Sequence, residues 1–140
     1  MIKRIAGLAL ISSVVLFACK KSSNDSNNNA NAILGKWTFV RNVNSAYIGG
    51  VRVGADTTES GNYIYFDTNG KAYSFDGNQA FSDTVNYSIV GNLIISGTPQ
   101  SADTVNIQKL DAHSLIVTDA YMESNGGIIT SYYDTTQYSK

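Results

Sequence analysis

From residue 33 onward, apolar and polar residues alternate in short runs that end at Gly, Asn, Asp, Ser or Thr. A period of two places successive side chains on opposite faces of a β-strand, whereas an amphipathic helix repeats its apolar positions every three to four residues. No part of 33–140 keeps a helical period over three turns. The pattern therefore predicts an all-β domain of eight or nine short strands.

The first strand is predicted at 35–44 and carries Trp37, the only Trp of the chain. A large flat side chain next to Gly35 can plug the end of a closed sheet. We therefore expect Trp37 to be buried at the closed end of a barrel.

A weaker second strand is predicted over 47–53. Gly49 and Gly50 lie inside it and indicate a bulge. The segment from Gly54 to Gly61 is predicted to be a long polar loop.

Two hairpins follow. In the first, Asn69-Gly70 indicates a tight turn, and its buried face is assigned to Ile64, Phe66, Tyr73 and Phe75. In the second, the most regular of the chain, Val85, Tyr87 and Ile89 alternate on one face before a turn at Gly91-Asn92.

Three more strands are predicted over 104–110, 114–121 and 128–137, joined by turns rich in Asp, Asn and Gly. Short connections between sequential strands are typical of an antiparallel up-and-down meander. Two free edges in so long a meander invite aggregation, and closure removes them. The predicted fold is thus all-β, an antiparallel meander closed into a small barrel of about eight strands.

The N-terminal segment has the layout of an export signal. Residues 1–4 are basic at Lys3 and Arg4, and 5–18 are apolar, too short a run for a membrane-spanning helix. The segment Leu16-Phe17-Ala18-Cys19 resembles the lipobox of bacterial lipoproteins. The resemblance implies cleavage after a signal peptide at 1–18 and attachment of a diacylglyceryl group and an N-acyl chain such as palmitate to Cys19. The alternative is an ordinary secretory signal with an incidental Cys.

Residues 19–32 are predicted to form a flexible tether behind the lipid anchor. Ser and Asn dominate this segment, which has too little apolar surface to offset the entropy of ordering it. Lys20 stands where, in such lipoproteins, an Asp favours retention in the inner membrane. The outer membrane is therefore the expected location, facing the periplasm, with the cell surface as the alternative.

The domain at 33–140 resembles small bacterial lipoproteins with a lipocalin-like barrel. The resemblance rests on Ile-Leu-Gly-Lys-Trp at 33–37, Tyr-Ser-Ile-Val-Gly-Asn-Leu-Ile-Ile at 87–95, and Ile-Gln-Lys-Leu at 107–110 leading into Leu-Ile-Val at 115–117. It implies a β-barrel that binds a small apolar or amphipathic ligand. Lipocalins commonly pack a late basic residue on the first Trp, but the final strand has no Arg or Lys before Lys140, so we expect this contact to be absent.

Charge and residue types argue against nucleic acid, metal, cofactor and catalysis. The domain carries six Lys or Arg and ten Asp or Glu, a net charge of −4 without a basic patch. Asp111, His113 and Ser114 are the residue types of a nucleophilic triad, but they lie almost consecutively and read as a polar turn. Asp67 begins a segment like a calcium loop, but Lys71 falls where an oxygen ligand is needed.

Two functional hypotheses remain. The first is a membrane-anchored carrier or sensor that binds a small apolar or aromatic ligand, with Trp37, Tyr73 and Tyr87 as candidate ligand-binding residues. The second is an envelope protein with a packed barrel, acting as a structural or protein-interaction module. Strand number does not separate them, because barrels of about eight strands are either packed or hollow.

Overall fold

The computed structural model describes residues 25–140 except Gln79 and Pro99. The predicted signal peptide and Cys19 lie outside the described residues. In the described part, one helix and nine strands form: α1 (Asp25–Ala32), β1 (Gly35–Ile48), β2 (Val51–Thr58), β3 (Tyr63–Phe66), β4 (Lys71–Phe75), β5 (Phe81–Val90), β6 (Leu93–Thr98), β7 (Ser101–Leu110), β8 (Ser114–Asn125) and β9 (Ile128–Ser139).

The strands form an antiparallel barrel. Each strand from β3 to β8 pairs with the next along the chain, and β1 pairs with β3 on one side and β9 on the other. The β1–β9 pairing closes eight strands into a barrel, and β2 is an extra strand paired to β1 outside it. The predicted all-β closed meander is confirmed.

One end of the barrel is covered by α1 and by the β3–β4, β5–β6 and β7–β8 turns; we call it the closed end. The Asn29 side chain on α1 donates to the Gly91 carbonyl at 3.0 Å and so attaches the helix to the β5–β6 turn. Trp37 is fully buried there, and its Nε1 donates to the Ile33 carbonyl at 2.6 Å. The predicted burial of Trp37 at the closed end is confirmed.

A basic residue packs on Trp37 after all. Lys140, directly after β9, places its Nζ 4.6 Å from the centre of the Trp37 ring and donates to the Leu34 carbonyl at 2.6 Å. The expectation that this contact is absent was wrong, because the basic residue that makes the contact lies just after the final strand rather than within it.

The cross-strand register separates an inner from an outer face. Trp37 is opposite Ile64, and Phe66 is opposite Ala72, which places these four side chains inside the barrel. The predicted inward face of β5 is confirmed, because Val85, Tyr87 and Ile89 pack against the core.

The assignment of Tyr73 and Phe75 to the buried face was wrong. Tyr73 is opposite Tyr65 and Phe75 is opposite Tyr63, on the outer face. Successive side chains point to opposite faces, so burying the small Ala72 against Phe66 turns both aromatic neighbours outward.

The β1–β2 connection also differs from the prediction. Gly49 and Gly50 have φ of 57° and 81°, which suits a two-residue type I′ turn, where both residues need positive φ. They form the tip of a hairpin rather than a bulge. The predicted polar loop at 54–61 is strand as far as Thr58.

Four strands continue past the barrel as a sheet that we call the blade. It consists of β2, 42–48 of β1, 118–125 of β8 and 128–136 of β9. It exposes apolar side chains near its end, among them Met122 (74% exposed), Val51 (67%) and Ile129 (60%). The blade extends from the end opposite to α1, which we call the open end.

Residues 25–32, assigned from their composition to the tether, form α1. Ile33 follows the helix and is fully buried with Trp37 in the core. The described part of the chain therefore includes a helix that the polar composition did not predict. No helix within the described residues is long and apolar enough to cross a membrane.

Candidate functional site

The inner face of the barrel encloses a cavity of about 200 Å³. Most of its lining is aliphatic or aromatic: Ile64, Phe66, Ala72, Val85, Ile94, Val105, Leu115 and Val117. Four lining side chains carry a hydroxyl group: Tyr87, Ser96, Thr136 and Tyr138. An apolar cavity with a few hydroxyl groups is suited to binding and orienting a small molecule.

Tyr87 is the one sequence-predicted binding residue that lines this cavity. Its ring packs edge-on against Phe66 with a centroid distance of 4.9 Å. Its hydroxyl donates to the Asp67 carbonyl at 2.9 Å, which fixes the ring in place. Burial, and secondarily the Asp67 carboxylate, raises the pKa of Tyr87.

Tyr73 lies outside the cavity, on the outer face of β4. Its hydroxyl donates to the Asp67 Oδ2 at 3.2 Å. Trp37 does not line the cavity either, and its indole N–H is already bonded to Ile33. The structure thus brings Tyr87 alone of the three candidates to the cavity wall.

Tyr138 connects this cavity to a second hollow. The second hollow, of about 210 Å³, shares Ile64 and Tyr138 with the first and adds Phe39, Tyr63 and Phe75. The Tyr138 ring meets Phe39 edge-on at 5.9 Å. Burial raises the pKa of Tyr138. Tyr138 forms part of the wall of both spaces, since it is among the lining residues of each.

Asp111, His113 and Ser114, the residue types of a nucleophilic triad, lie together at the β7–β8 turn. The Asp111 Oδ1 accepts hydrogen bonds from the backbone N–H groups of His113 and Ser114, and its Oδ2 pairs with Lys109 Nζ at 3.0 Å. The pKa of Asp111 is lowered to about 2, mainly by the hydrogen bond from the His113 N–H group and next by Lys109. Asp111 therefore stabilises the β7–β8 turn rather than orienting His113 as a base.

Asp67 has the same kind of role in the β3–β4 turn. Its Oδ1 accepts from the backbone N–H groups of Asn69 and Lys71 at 2.8 and 2.9 Å. These bonds, with that of Lys71 the largest contribution, lower the pKa of Asp67. The carboxylate therefore caps the turn.

Charged side chains are divided between the two faces of the sheet, which the sequence analysis missed. Within β1–β9, the register places every Lys and Arg on the outer face: Lys36, Arg41, Arg52, Lys71 and Lys109. It places every Asp and Glu on the inner face: Asp56, Asp83, Asp103, Asp119, Glu123 and Asp134.

Four of these acids lie on the inner face, two residues beyond the cavity lining toward the open end: Asp83 and Asp103 on β5 and β7, and Asp119 and Asp134 on β8 and β9 where the blade begins. We call these four residues the rim aspartates. The alternation itself could have revealed them, because Asp83 is in phase with Val85 and Tyr87. Clustering of charge along the chain does not reveal them, because these residues are far apart in the sequence.

The inner face beyond the rim is polar and aromatic. Asn44 Nδ2 donates to Asp134 Oδ1 at 2.7 Å, and the rings of Tyr121 and Tyr132 stack with centroids 4.8 Å apart. Burial, and then the nearby carboxylates of Asp134 and Glu123, raise the pKa of Tyr121. Carboxylates and aromatic faces therefore share this surface.

Comparison of the chain with known protein families, with curated proteins and with solved structures finds no match.

Proposed function

We propose that this protein is an exported, membrane-anchored, lipocalin-like lipoprotein whose barrel binds a small apolar or amphipathic molecule without chemical change. The observation that carries the proposal is the cavity of about 200 Å³ with its mainly apolar lining. Its hydroxyl groups can orient a ligand, and the carboxylates of Asp67 and Asp111 are engaged in turns.

The cavity volume limits the ligand. An engineered cavity of about 150 Å³ lined by Leu, Ile and Phe binds benzene, whereas pockets for drug-sized molecules occupy about 300–1,000 Å³. A space of about 200 Å³ is therefore suited to one aromatic ring or a short alkyl chain. The rest of a longer ligand would lie outside, toward the open end.

Titration with ligands of increasing size tests this function. We expect single-ring aromatics and short-chain compounds to bind and compounds whose apolar group is larger than one ring to be excluded. Ala72→Leu adds bulk inside the cavity and should abolish binding. Ala120→Leu is the control, because it makes the same change at an exposed position on the outer face of β8. Failure of every ligand to bind below about millimolar would contradict the proposal.

Lipidation of Cys19 is the second part of the proposal. Six residue steps separate Cys19 from the start of α1, which corresponds to at most about 20 Å of extended chain. The closed end would then face the membrane and the open end would face away from it. Metabolic labelling with an alkyne fatty acid should mark the wild type and leave Cys19→Ser unmarked; equal labelling of both would contradict this.

The blade favours a second candidate function, an envelope module that contacts another protein. Its apolar side chains Met122, Val51 and Ile129 are exposed to solvent, and exposed apolar surface of this kind is typical of a protein-interaction site. This candidate becomes the better one if the size series shows no binding and a cavity-enlarging Tyr87→Ala variant is equally inert.

A further inference from the structure

Each rim aspartate belongs to a strand that also lines the cavity. Asp83, Asp103, Asp119 and Asp134 lie two residues from the lining positions Val85, Val105, Val117 and Thr136, on the same face and toward the open end. Two residues of a strand span about 6.6 Å. On four of the eight barrel strands, a carboxylate therefore lies two residues beyond the cavity lining.

No basic side chain of the strands offsets this rim. Within β1–β9, all Lys and Arg side chains are on the outer face, and Lys140 is at the closed end over Trp37. Charges of one sign next to an apolar, low-dielectric space focus the electrostatic field there. This arrangement attracts a cationic group and repels an anionic one, such as the carboxylate of a fatty acid.

The rim differs from a metal site. Among the described residues, no group of three or more His, Cys, Asp or Glu side chains is close enough to hold a metal ion. The four carboxylates come from four strands and are spread over the inner face rather than gathered at a point. Farther out, the stacked Tyr121 and Tyr132 offer aromatic faces, which attract organic cations.

We propose that the ligand is an amphipathic organic cation, with its apolar group in the cavity and an ammonium or similar group at the rim aspartates. The inference rests on the proposed function and narrows it to one chemical class. Because the rim is about 6.6 Å from the lining, a linker of two or three bonds between the apolar group and the charge fits best.

Three probes with one phenyl group and one linker length test the inference: phenethylamine, 2-phenylethanol and 3-phenylpropionate. Binding is measured by ligand-observed NMR to the full-length lipidated protein in phosphatidylcholine vesicles, with empty vesicles as the blank. We expect phenethylamine to bind about tenfold more tightly than 3-phenylpropionate at low salt, with 2-phenylethanol between them. The ratio should fall as salt rises from about 0.01 to 0.15 M, because the Debye length shortens from about 30 to about 8 Å.

A charge-matched pair of variants locates the effect. Asp103→Asn with Asp119→Asn removes two rim charges and keeps the oxygen that accepts the N–H group of the following residue in each case. Asp67→Asn with Asp111→Asn removes two charges at the closed end. The first double variant should lose most of the preference for phenethylamine, and the second should retain it; thermal melts check that both are folded.

The outcomes separate this inference from the function on which it rests. Equal binding of all three probes, or tighter binding of 3-phenylpropionate, overturns the cation inference and leaves the ligand-binding function standing. Loss of the preference in the closed-end variant also overturns it. Binding of none of the probes by the wild type overturns both.

Discussion

Asp119 on β8 lies directly opposite Asp134 on β9, so that two carboxylates form one cross-strand pair on the inner face. Like charges in this position destabilise a sheet. Asn44 relieves part of the repulsion by donating to Asp134 at 2.7 Å. The remaining repulsion between the two carboxylates lowers stability locally.

Replacing Asp119 with Asn should therefore stabilise the protein. We expect the free energy of unfolding at low salt to rise by about 0.2–1 kcal/mol, measured by urea denaturation. The gain should shrink at high salt, where the repulsion in the wild type is screened. Asp103→Asn is the control, because Asp103 lies opposite the uncharged Ser96. A loss of stability in Asp119→Asn would show that the pair is not repulsive.

Trp37 and Lys140 together should stabilise the closed end. Trp37→Ala should cost about 3–5 kcal/mol, because it removes the large, fully buried side chain that fills the closed end of the core. Trp37→Phe should cost about 1–3 kcal/mol, because the buried Ile33 carbonyl loses its donor. Denaturant melts provide both values, and a loss under about 1 kcal/mol in the alanine variant would contradict the burial of Trp37.

Lys140 can be tested separately. Lys140→Met keeps the length of the side chain but removes the charge over the Trp37 ring and the hydrogen bond to Leu34. We expect a loss of about 1 kcal/mol. Lys140→Arg keeps a cation and donors and should lose less. Equal melts for the wild type and Lys140→Met would show that the contact adds nothing to stability.

The sequence predicted the strands best where local turn chemistry and alternation agree. Val85, Tyr87 and Ile89 are separated by polar residues and followed by Gly91-Asn92, so both the face and the turn were predicted correctly. In β4 the two faces are less distinct, because Ala72 is small and its neighbour Tyr73 is a large aromatic residue. Only the packing of Phe66 against Ala72 decides which face is inside.

Other features depend on contacts between distant parts of the chain. The segment 25–32 has a composition typical of disorder, and its helix is attached to the barrel through Asn29 and Gly91, 62 positions apart in the chain. The rim aspartates come from four strands and meet only when the barrel closes. The existence of a barrel could therefore be predicted from local pattern, whereas the charge of its mouth required the register.

Asp111 should make stability depend on pH in the acid range. Its folded-state pKa of about 2 is below the ordinary value of 3.8. The unfolded state therefore takes up the proton first, and the stability that this carboxylate contributes is complete above about pH 4 and is lost as the pH falls toward 2. Asp111→Asn lacks this contribution. Thermal melts should show the wild type more stable at pH 7 and the difference shrinking between pH 4 and 2; a constant difference would contradict the assignment.

Substitution by Ala should change ligand binding at Tyr87 but not at Tyr73, because the two side chains are on opposite faces of the barrel wall. Tyr87→Ala removes a ring from the cavity lining together with its hydrogen bond to the Asp67 carbonyl. We expect the free energy of unfolding to fall by about 3 kcal/mol and the enlarged cavity to bind larger, two-ring ligands. Tyr73→Ala removes a ring from the outer face and should leave ligand affinity unchanged, although it loses the bond to the Asp67 carboxylate. Tyr87→Phe separates the two effects: it keeps the cavity shape, loses only the hydroxyl, and should bind single-ring ligands as the wild type does. Calorimetric titration of the four proteins with a single-ring and a two-ring compound measures these affinities. A clear loss of ligand affinity in Tyr73→Ala would mean that Tyr73 faces the cavity. The register that places Ala72 inside, and with it the location of the cavity, would then be wrong.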